Sequence, residues 1–421
     1  MLSLKRVKWI GAVLSIALLL SACSETNQGN SSNSSSAEDK PVTITVAMPN
    51  DQYQSLSELN ERFQDQYPNI KIQFDAVPTD QYETLVNTKL ASGDGPDLFN
   101  VNSGTKLDPL INSNNIMALN DESWVSRLSP SGLEAASRNG NVYALPGFQA
   151  IIGVVYNKQI FKELGLSIPQ HWDEFLEVAQ KIKDSGKIPL ALGLRDAFVT
   201  QFIPYAMAPS AIYRDHANFD NEMYEGKQTF VGSPWEQMLA DYLGLEEKGF
   251  FNDDVMGTGL DSMFQMMASG DAAMSVIVSP MIGAIRGMNP EIELGVFPLP
   301  YVKEGETIYV STGTSNVFAV NANTKHPEAA KQYLDFLSQP DNMMVLIEGS
   351  LSAFVDVPSQ ADPAIMETED AMKKGTYTML DTIWPNTVQP TLFTAVQKVF
   401  TGQSIEAALK EMDDAFKRGI Q

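Results

Sequence analysis

The hydrophobic pattern at the start of the folded chain predicts alternating strands and helices. Apolar residues alternate with polar ones over 42–48 and again over 70–76, which is the period of a β-strand. Apolar residues at helical spacing over 56–67 and 82–90 predict a helix after each of these strands. A further strand over 96–101 completes a β-α-β-α-β order. Right-handed crossovers between such strands produce a parallel sheet with helices on its faces.

Polar residues follow the predicted strands of this sheet. Asn50 and Asp51 come after the first strand, and Asn102 comes after the third. Because parallel strands end at one shared edge, where α/β sheets bind ligands, we expect a binding edge here. Asp97 follows Pro96 at a strand start, where a carboxylate commonly accepts hydrogen bonds from nearby backbone amides, so we expect Asp97 to be structural.

The segment from Tyr143 to Asn157 contains two extended pieces that are broken at Pro146-Gly147. Ile151 to Tyr156 is apolar at nearly every position, so we expect a strand that is buried on both faces. A strand that bends at such a break can leave one sheet and enter another. From this segment alone, an ordinary core strand after a turn is the favoured interpretation.

The later chain continues the α/β pattern. A helical stripe over 172–182 precedes a strand over 188–194, which ends in the polar pair Arg195-Asp196. Another strand ends at Val278, before Ser279-Pro280.

Length and charge limit the possible functions. A chain of 421 residues is too long for one core and indicates about two domains. Its net charge of −23 opposes general electrostatic binding of nucleic acid or anionic lipid. A neutral ligand is not repelled.

The first 40 residues have the features of an export signal and a tether. Three basic residues precede an apolar run over 9–20 that is too short to span a bilayer. The run ends in Leu-Ser-Ala before Cys23, the single cysteine of the chain, and this order resembles a bacterial lipobox. We therefore expect a signal peptide over 1–22, lipidation of Cys23, and a flexible polar tether up to residue 40.

Several longer motifs resemble one protein family. Tyr-Ala-Leu-Pro at 143–146 is followed by an apolar run that closes in Val-Val-Tyr-Asn-Lys at 154–158. Ala-Ser-Gly-Asp-Gly-Pro-Asp-Leu at 91–98 and Phe-Pro-Leu-Pro at 297–300 are also characteristic. These motifs resemble the extracellular solute-binding proteins, the group that contains the maltose-binding protein and other sugar receptors of ABC importers.

This resemblance implies a two-lobed α/β fold, in which each lobe is a mixed sheet flanked by helices and a multi-strand hinge joins the lobes. The N-terminal lobe is expected over 41–148 and 312–350, and the C-terminal lobe over 149–311 and 351–421. Closure of the lobes around a ligand is the mechanism that the resemblance implies.

The implied function is capture of a carbohydrate, in particular an oligosaccharide, and its delivery to the transmembrane subunits of an ABC permease. The resemblance implies a monomer that is held at the extracytoplasmic face of the membrane by lipid alone, without a cofactor. The alternatives are a receptor for a polyamine or an amino acid, an exported polysaccharide-degrading enzyme and a surface adhesion lipoprotein. Arg195-Asp196 would suit the zwitterion of an amino acid.

Candidate ligand contacts lie at the strand ends and at the crossings between lobes. The resemblance implies polar contacts at Asn50, Asp51 and Asn102. The other candidates are Tyr82, Phe148, Gln149, Arg195, Asp196, Ser279 and Gly313. Many relatives carry a sugar-stacking aromatic residue near Ser279-Pro280, and this chain has none there.

Trp384 is the strongest aromatic candidate. Pro385 keeps it out of a helix, and relatives often place a sugar-stacking ring in this region. Packing of a loop is the alternative. Trp124, Trp172 and Trp235 lie on predicted helical stripes or turns, so we expect them in the core.

Enzyme and metal motifs are scarce. The three histidines are scattered, and the cysteine is expected to carry lipid, so a metal site lacks its usual ligands. The sequence has no Gly-x-Ser-x-Gly elbow and no Walker loop. We therefore expect a binding protein without catalytic residues.

Overall fold

The structure, a computed structural model, describes residues 41–49, 53–314 and 316–420. The predicted signal peptide, Cys23 and the tether lie outside these residues, as do Asn50 and Asp51. The first part of the described chain follows the predicted order of strands and helices. Its elements are β1 (Val42–Pro49), α1 (Tyr53–Gln66), β2 (Ile70–Val77), α2 (Thr79–Ser92), β3 (Leu98–Asn102), α3 (Asp108–Asn112), α4 (Pro130–Ala136), β4 (Ser137–Arg138), β5 (Asn141–Val142), β6 (Ala144–Pro146) and β7 (Phe148–Asn157).

The middle of the chain is mostly helical, with strands that add to the sheet around β7. Its elements are α5 (Lys158–Glu163), α6 (Trp172–Asp184), β8 (Ile188–Leu190), α7 (Phe202–Ala208), α8 (Phe219–Tyr224), α9 (Trp235–Glu247), α10 (Leu260–Ser269), β9 (Ala272–Val278), α11 (Ile282–Met288), β10 (Leu294–Phe297) and β11 (Val310–Gly313).

The last part of the chain contributes to both sheets and ends in two helices. Its elements are β12 (Asn316–Val320), α12 (Pro327–Ser338), α13 (Pro340–Leu346), β13 (Leu351–Ser352), α14 (Pro363–Met366), α15 (Glu369–Lys374), β14 (Thr376–Thr378), α16 (Val388–Phe400) and α17 (Ile405–Gly419).

The strands form two main sheets, one in each lobe. The first lobe has the order β2-β1-β3-β12-β6, in which β1 is parallel to β2 and β3, whereas β12 is antiparallel to its neighbours. The second has the order β14-β11-β7-β9-β8, and β10 and β13 also pair with β7. The predicted two-lobed α/β architecture with mixed sheets is therefore confirmed.

Each lobe has its own core. In the first lobe, α1, α12 and α13 cover one face of the sheet, and the opposite face packs against apolar residues of α2 and α3. In the second lobe, the central strand β7 is buried along 150–157, as its apolar sequence predicts. The first lobe was predicted to end at residue 350, but three residues beyond that position pack in its core: Ala353, Phe354 and Val357. The lobe limits stay a prediction.

Within the described residues, the chain passes between the sheets at three places. Gly147 separates β6 of the first sheet from β7 of the second. The chain returns between the end of β11 at Gly313 and the start of β12 at Asn316. It passes again after α13, where β13 pairs with the start of β7. These three passages bring one edge of each sheet to the boundary between the lobes.

Candidate functional site

The carboxyl ends of several strands meet at the boundary between the lobes. In the first sheet, β3 ends beside the start of β12, because Asn102 pairs with Asn316. In the second sheet, β7 begins beside the end of β9, where Ile152 pairs with Val278. Since Gly147 joins β6 directly to β7, these two sheet edges border one cleft. This is the edge at which α/β sheets bind ligands.

A cavity of about 530 Å³ lies in this cleft, and we call it the cleft cavity. Residues of both sheets line it, together with the loop that follows β9 and the passage after α13. Its lining comprises Met48, Leu56, Asn100, Gly147, Phe148, Val278, Pro280, Met281, Ala284, Asn316, Phe318, Leu346, Glu348 and Ser350.

A second cavity of about 560 Å³, the groove cavity, runs between α2 and α3 over β3. It extends along α2 from Tyr82 to Ala91, which is about 14 Å at the rise of an α-helix. Asn100 and Asn316 line both cavities, so the two spaces adjoin at these residues. Asn386, from the segment before α16, also lines the groove cavity. Residues that are far apart in the sequence therefore border this cavity.

Neutral amides dominate the polar lining of the two cavities. Six asparagines line them: Asn87, Asn100, Asn102, Asn115, Asn316 and Asn386. Their charged lining residues are Glu83 and Lys106 in the groove cavity and Glu348 in the cleft cavity. The described lining is therefore almost neutral, although the chain as a whole carries a net charge of −23. Amides both donate and accept hydrogen bonds, as the hydroxyl groups of a neutral polar ligand do.

Tyr82 lines the groove cavity, but its hydroxyl group has structural partners. The hydroxyl donates to the carbonyl oxygens of Ala47, at 3.0 Å, and Asn100, at 2.7 Å. Burial raises the pKa of Tyr82 well above its usual range, so the group stays a neutral donor. These bonds attach the first turn of α2 to β1 and β3. A ligand contact with the ring of Tyr82 stays a prediction.

Phe148 and Gln149 point in different directions from the start of β7. Phe148 is half-buried and lines the cleft cavity. The side-chain amide of Gln149 donates to the hydroxyl oxygen of Ser131, at the start of α4. This difference follows from the alternation of side chains along a strand. Phe148 thus lies in the cleft, whereas the side chain of Gln149 is hydrogen-bonded to Ser131 of α4.

Three other candidates have partners within the second lobe. The Ser279 hydroxyl accepts a hydrogen bond of 3.1 Å from the amide of Ile151, and Ser279 is 3% exposed. The Asp196 carboxylate accepts a hydrogen bond of 2.7 Å from the amide of Leu260, at the start of α10. Arg195 is exposed, and its guanidinium packs against Gly259. None of the three lines the cleft cavity or the groove cavity in the described part of the chain.

Gly313 and Asn102 lie on different sides of the passage between β11 and β12. Asn102 lines the groove cavity. Gly313 lines a third cavity of about 570 Å³, which hydroxyl side chains border, among them Thr312, Thr314 and Thr378. This third cavity shares no lining residue with the other two among the described residues.

Trp384 lies in the core of the second lobe with 0% exposure. Its ring contacts those of Tyr205, Phe230 and Trp235, at centroid distances of 5.9, 5.4 and 5.5 Å. Its indole nitrogen donates to Asp220. These contacts correspond to the alternative of loop packing, because no face of the ring is open to solvent. A contact between Trp384 and a ligand has not been tested and is still a prediction. Trp124 and Trp235 are buried as predicted.

Sequence reasoning missed Asn100, Asn386 and Met281 as cavity residues. Asn100 had a signal in the sequence, since it is a polar residue within the apolar part of a predicted strand. Met281 follows Ser279-Pro280, where the expected aromatic residue is absent. Asn386 follows Trp384 by two positions, in a loop whose direction no local pattern indicates.

The described residues include neither a metal-binding cluster nor a membrane-spanning helix. These residues contain no group of three or more His, Cys, Asp or Glu side chains that could hold a metal ion. Across the same part of the chain, no helix is long and apolar enough to cross a membrane.

Two sequence relatives share most of their length with this chain. The multiple sugar-binding protein of Streptococcus mutans is 24% identical over 339 residues, which cover 79% of this chain and 78% of that protein. The melibiose/raffinose/stachyose-binding protein MelE of Bacillus subtilis is 23% identical over 342 residues, or 80% of this chain and 78% of MelE.

Solved structures show the same fold. The protein RafE in complex with raffinose aligns with a TM-score of 0.78 at 22% identity, over 90% of this chain and 100% of RafE. A sugar transporter protein of Bacillus licheniformis in complex with stachyose aligns with a TM-score of 0.76 at 24% identity, with the same coverage. Both are similar to this chain along the whole two-lobed body.

The family model described as bacterial extracellular solute-binding protein matches residues 49–344. This range contains β2, β3, β6 and β12 of the first-lobe sheet, most of the sheet of the second lobe and most of the residues that line the two cavities. The resemblance seen in the sequence motifs is confirmed, and the family consists of solute-binding proteins and not of enzymes. The chain belongs to the bacterial extracellular solute-binding protein family.

Proposed function

We propose that this protein is the substrate-binding lipoprotein of an ABC importer, and that it captures a neutral oligosaccharide between its lobes. The neutral, asparagine-rich lining of the cleft and groove cavities is the observation that carries this proposal. An oligosaccharide offers many hydroxyl groups that pair with side-chain amides, and it has no charge that requires a counter-ion.

The lining argues against the cationic and zwitterionic alternatives. A polyamine needs several carboxylates, because each buried ammonium group requires compensation. The described lining of these two cavities supplies Glu83 and Glu348, both of which are exposed. An amino acid needs a paired cation and anion, and Arg195 and Asp196 lie outside both cavities. A neutral solute therefore fits the lining of the cleft and groove cavities best.

The named ligands of the relatives agree with this choice. MelE is named for melibiose, raffinose and stachyose, and the two aligned structures hold raffinose and stachyose. These sugars are neutral and carry hydroxyl groups on every ring. By analogy, we assign an oligosaccharide to this chain.

Closure of the lobes would couple capture to delivery. The cleft cavity has walls from both lobes, so a ligand that contacts both walls stabilises the closed form. The closed form would then be the state that the permease subunits recognise. The protein would act as a monomer in this cycle.

Cys23 would carry the lipid that holds the receptor at the extracytoplasmic face of the cell membrane. Residues 24–40 contain no large apolar residue and would serve as a tether between the lipid and the lobes. Replacement of Cys23 by Ala should abolish incorporation of labelled palmitate in cells. Continued labelling would contradict the anchor.

A binding screen tests the proposed ligand class. The mature protein is titrated calorimetrically with raffinose, stachyose and a chitin oligosaccharide, and in parallel with spermidine and free amino acids. We expect one-to-one reversible binding to a neutral sugar and no release of shorter products. Binding to spermidine alone would overturn the sugar assignment, and product release would indicate an enzyme.

A further inference from the structure

Two residues that line the groove cavity each have a buried side-chain atom without a hydrogen-bond partner. The side-chain nitrogen Nδ2 of Asn100 and the side-chain oxygen Oδ1 of Asn386 are shielded from solvent and make no hydrogen bond with any described residue. Asn100 is 4% exposed as a whole residue. A buried polar atom without a partner destabilises a protein, so such atoms are uncommon unless a ligand or water completes them.

The two atoms belong to different parts of the fold. Asn100 lies on β3, in the sheet of the first lobe, and its strand neighbour is Phe318 of β12. Asn386 lies in the segment that joins β14 of the second lobe to α16. The groove cavity brings both residues to one space. A molecule in this cavity therefore contacts residues of both lobes.

The chemistry of the two atoms is complementary. Asn100 offers an N–H donor, and Asn386 offers a carbonyl acceptor. The hydroxyl groups of a ligand can accept from the first atom and donate to the second, whereas ammonium groups cannot accept and carboxylates cannot donate. The pair thus selects a ligand with neutral hydroxyl groups.

We propose that the groove cavity is a ligand subsite in which Asn100 and Asn386 determine specificity for a hydroxyl-bearing group. This inference rests on the proposed function and deepens it, because it assigns a second region of contact beside the cleft cavity. Asn100 lines both cavities, so one extended sugar chain can pass from the cleft cavity into the groove cavity at this residue. The apolar floor, which includes Val86, Phe99 and Leu110, would contact the C–H faces of the sugar.

Alanine variants separate a ligand contact from a structural role. Asn100→Ala and Asn386→Ala are compared with the wild-type protein by calorimetric titration with raffinose, stachyose and a chitin oligosaccharide. Each variant should weaken the binding of the sugar that binds the wild type by about tenfold, the loss of one or two hydrogen bonds. The melting temperature of the ligand-free protein should stay the same or rise, because an unpartnered buried group is removed.

Asn60 provides a matched control. Its Oδ1 atom is also buried without a partner, but the residue lies on α1 and lines neither cavity. Asn60→Ala should leave sugar affinity unchanged. An equal loss of affinity in Asn60→Ala would assign the effect to general stability and overturn the proposal.

Aspartate variants test the direction of the two hydrogen bonds. Asn386→Asp keeps an acceptor and should bind the sugar more tightly than Asn386→Ala. Asn100→Asp loses the donor and should bind it at least tenfold more weakly than the wild type. The reverse order would contradict the assigned roles. If Asn100→Asp fails to fold, the two Asn386 variants still decide the question.

The outcomes also distinguish this inference from the proposed function. If the wild type binds none of the three sugars, the proposed function fails, and the subsite fails with it. If the wild type binds a sugar and both alanine variants keep its affinity, the subsite alone is wrong. Weaker binding by both variants, with unchanged melting temperatures, supports it.

Discussion

The indole nitrogen of Trp384 donates a hydrogen bond of 3.0 Å to the carboxylate of Asp220, which is 2% exposed. The hydroxyl groups of Tyr213 and Tyr377 donate to the same carboxylate, at 3.0 and 3.3 Å. All three donors are neutral, so no cation compensates the buried charge among these partners. Burial raises the pKa of Asp220 to about 6, although the three hydrogen bonds oppose the rise.

The raised pKa of Asp220 predicts a specific dependence of stability on pH. The unfolded chain has an ordinary aspartate pKa of about 3.9, so the native state binds more protons between about pH 4 and 6. The contribution of this proton to stability is complete below pH 4 and is lost as the pH rises through about 6. Its full size is on the order of 3 kcal/mol.

Asp220→Asn should remove this dependence. Its amide oxygen can accept from Trp384 and Tyr213, and its amide group can donate to Tyr377, so the variant imitates the protonated acid. At pH 8 we expect the free energy of unfolding of the variant to be larger than that of the wild type. At pH 4 we expect the two free energies of unfolding to be similar. Urea unfolding at several pH values measures the difference. If the free energy of unfolding of the two proteins changed with pH in parallel, the prediction would be contradicted. Asp94→Asn, at an exposed position, is the control.

Trp384→Ala should destabilise the second lobe. The substitution leaves a large cavity between Tyr205, Phe230 and Trp235 and removes one donor to Asp220, a loss of about 3–5 kcal/mol. Loss of an exposed stacking residue would leave the melting temperature unchanged, whereas loss of the buried Trp384 should lower it. Denaturant unfolding measures the effect. Trp384→Phe, which keeps a ring but lacks the donor, should lie between the alanine variant and the wild type.

Gly104 is a second position at which the structure predicts a strong effect. Its φ is +68°, and a Cβ there would lie 2.1 Å from the carbonyl oxygen of Thr382, a residue of the second lobe. Nearby, the Thr105 hydroxyl donates to the carbonyl oxygen of Trp384 at 2.5 Å. Gly104→Ala should therefore force the two segments apart and destabilise the protein by roughly 3 kcal/mol or more.

Gly93→Ala is the matched control for this prediction. Gly93 also has a positive φ, +80°, but a Cβ there meets no atom within 4 Å. This variant should cost about 1–2 kcal/mol, the backbone penalty alone. Melting temperatures measure both effects. An equal loss in the two variants would mean that the contact between Gly104 and Thr382 is unimportant.

Asp97 should contribute to stability through β1. Its carboxylate accepts hydrogen bonds from the amide of Thr45, at 2.7 Å, and from the hydroxyl of the same residue, at 2.9 Å. It also accepts from the Thr324 hydroxyl. Asp97→Ala should destabilise the first lobe by about 2–3 kcal/mol, and Asp94→Ala, at an exposed position nearby, should have little effect. Chemical unfolding would reject this role if the two variants were equally stable.

Local patterns predicted the elements well, because strands and helices follow from periods within a few residues. The alternation over 42–48 corresponds to β1, and the break at Pro146-Gly147 corresponds to the change of sheet between β6 and β7. Asp97 has the structural role that the sequence indicated, although the amide that it binds is on β1 and not nearby in sequence.

The side-chain environment of the site could not be predicted in the same way. The rings that bury Trp384 are 149 to 179 positions earlier in the chain, so its sequence neighbours show only the turn at Pro385. Asp196 bonds with the start of α10, a helix that lies 64 positions later. Asn100 and Asn386 meet in one cavity only because the fold brings β3 and the segment before α16 together. Such contacts depend on tertiary structure alone.

Calorimetric and thermal-shift titration of the mature protein with raffinose, stachyose, a chitin oligosaccharide and spermidine tests the central claim most directly. A ligand at 100 times its Kd stabilises the native state by about 2.7 kcal/mol, which moves the melting temperature measurably. We predict that a neutral oligosaccharide raises the melting temperature and binds with a one-to-one stoichiometry, whereas spermidine does neither. Stabilisation by spermidine alone, or by none of these ligands, would contradict the account.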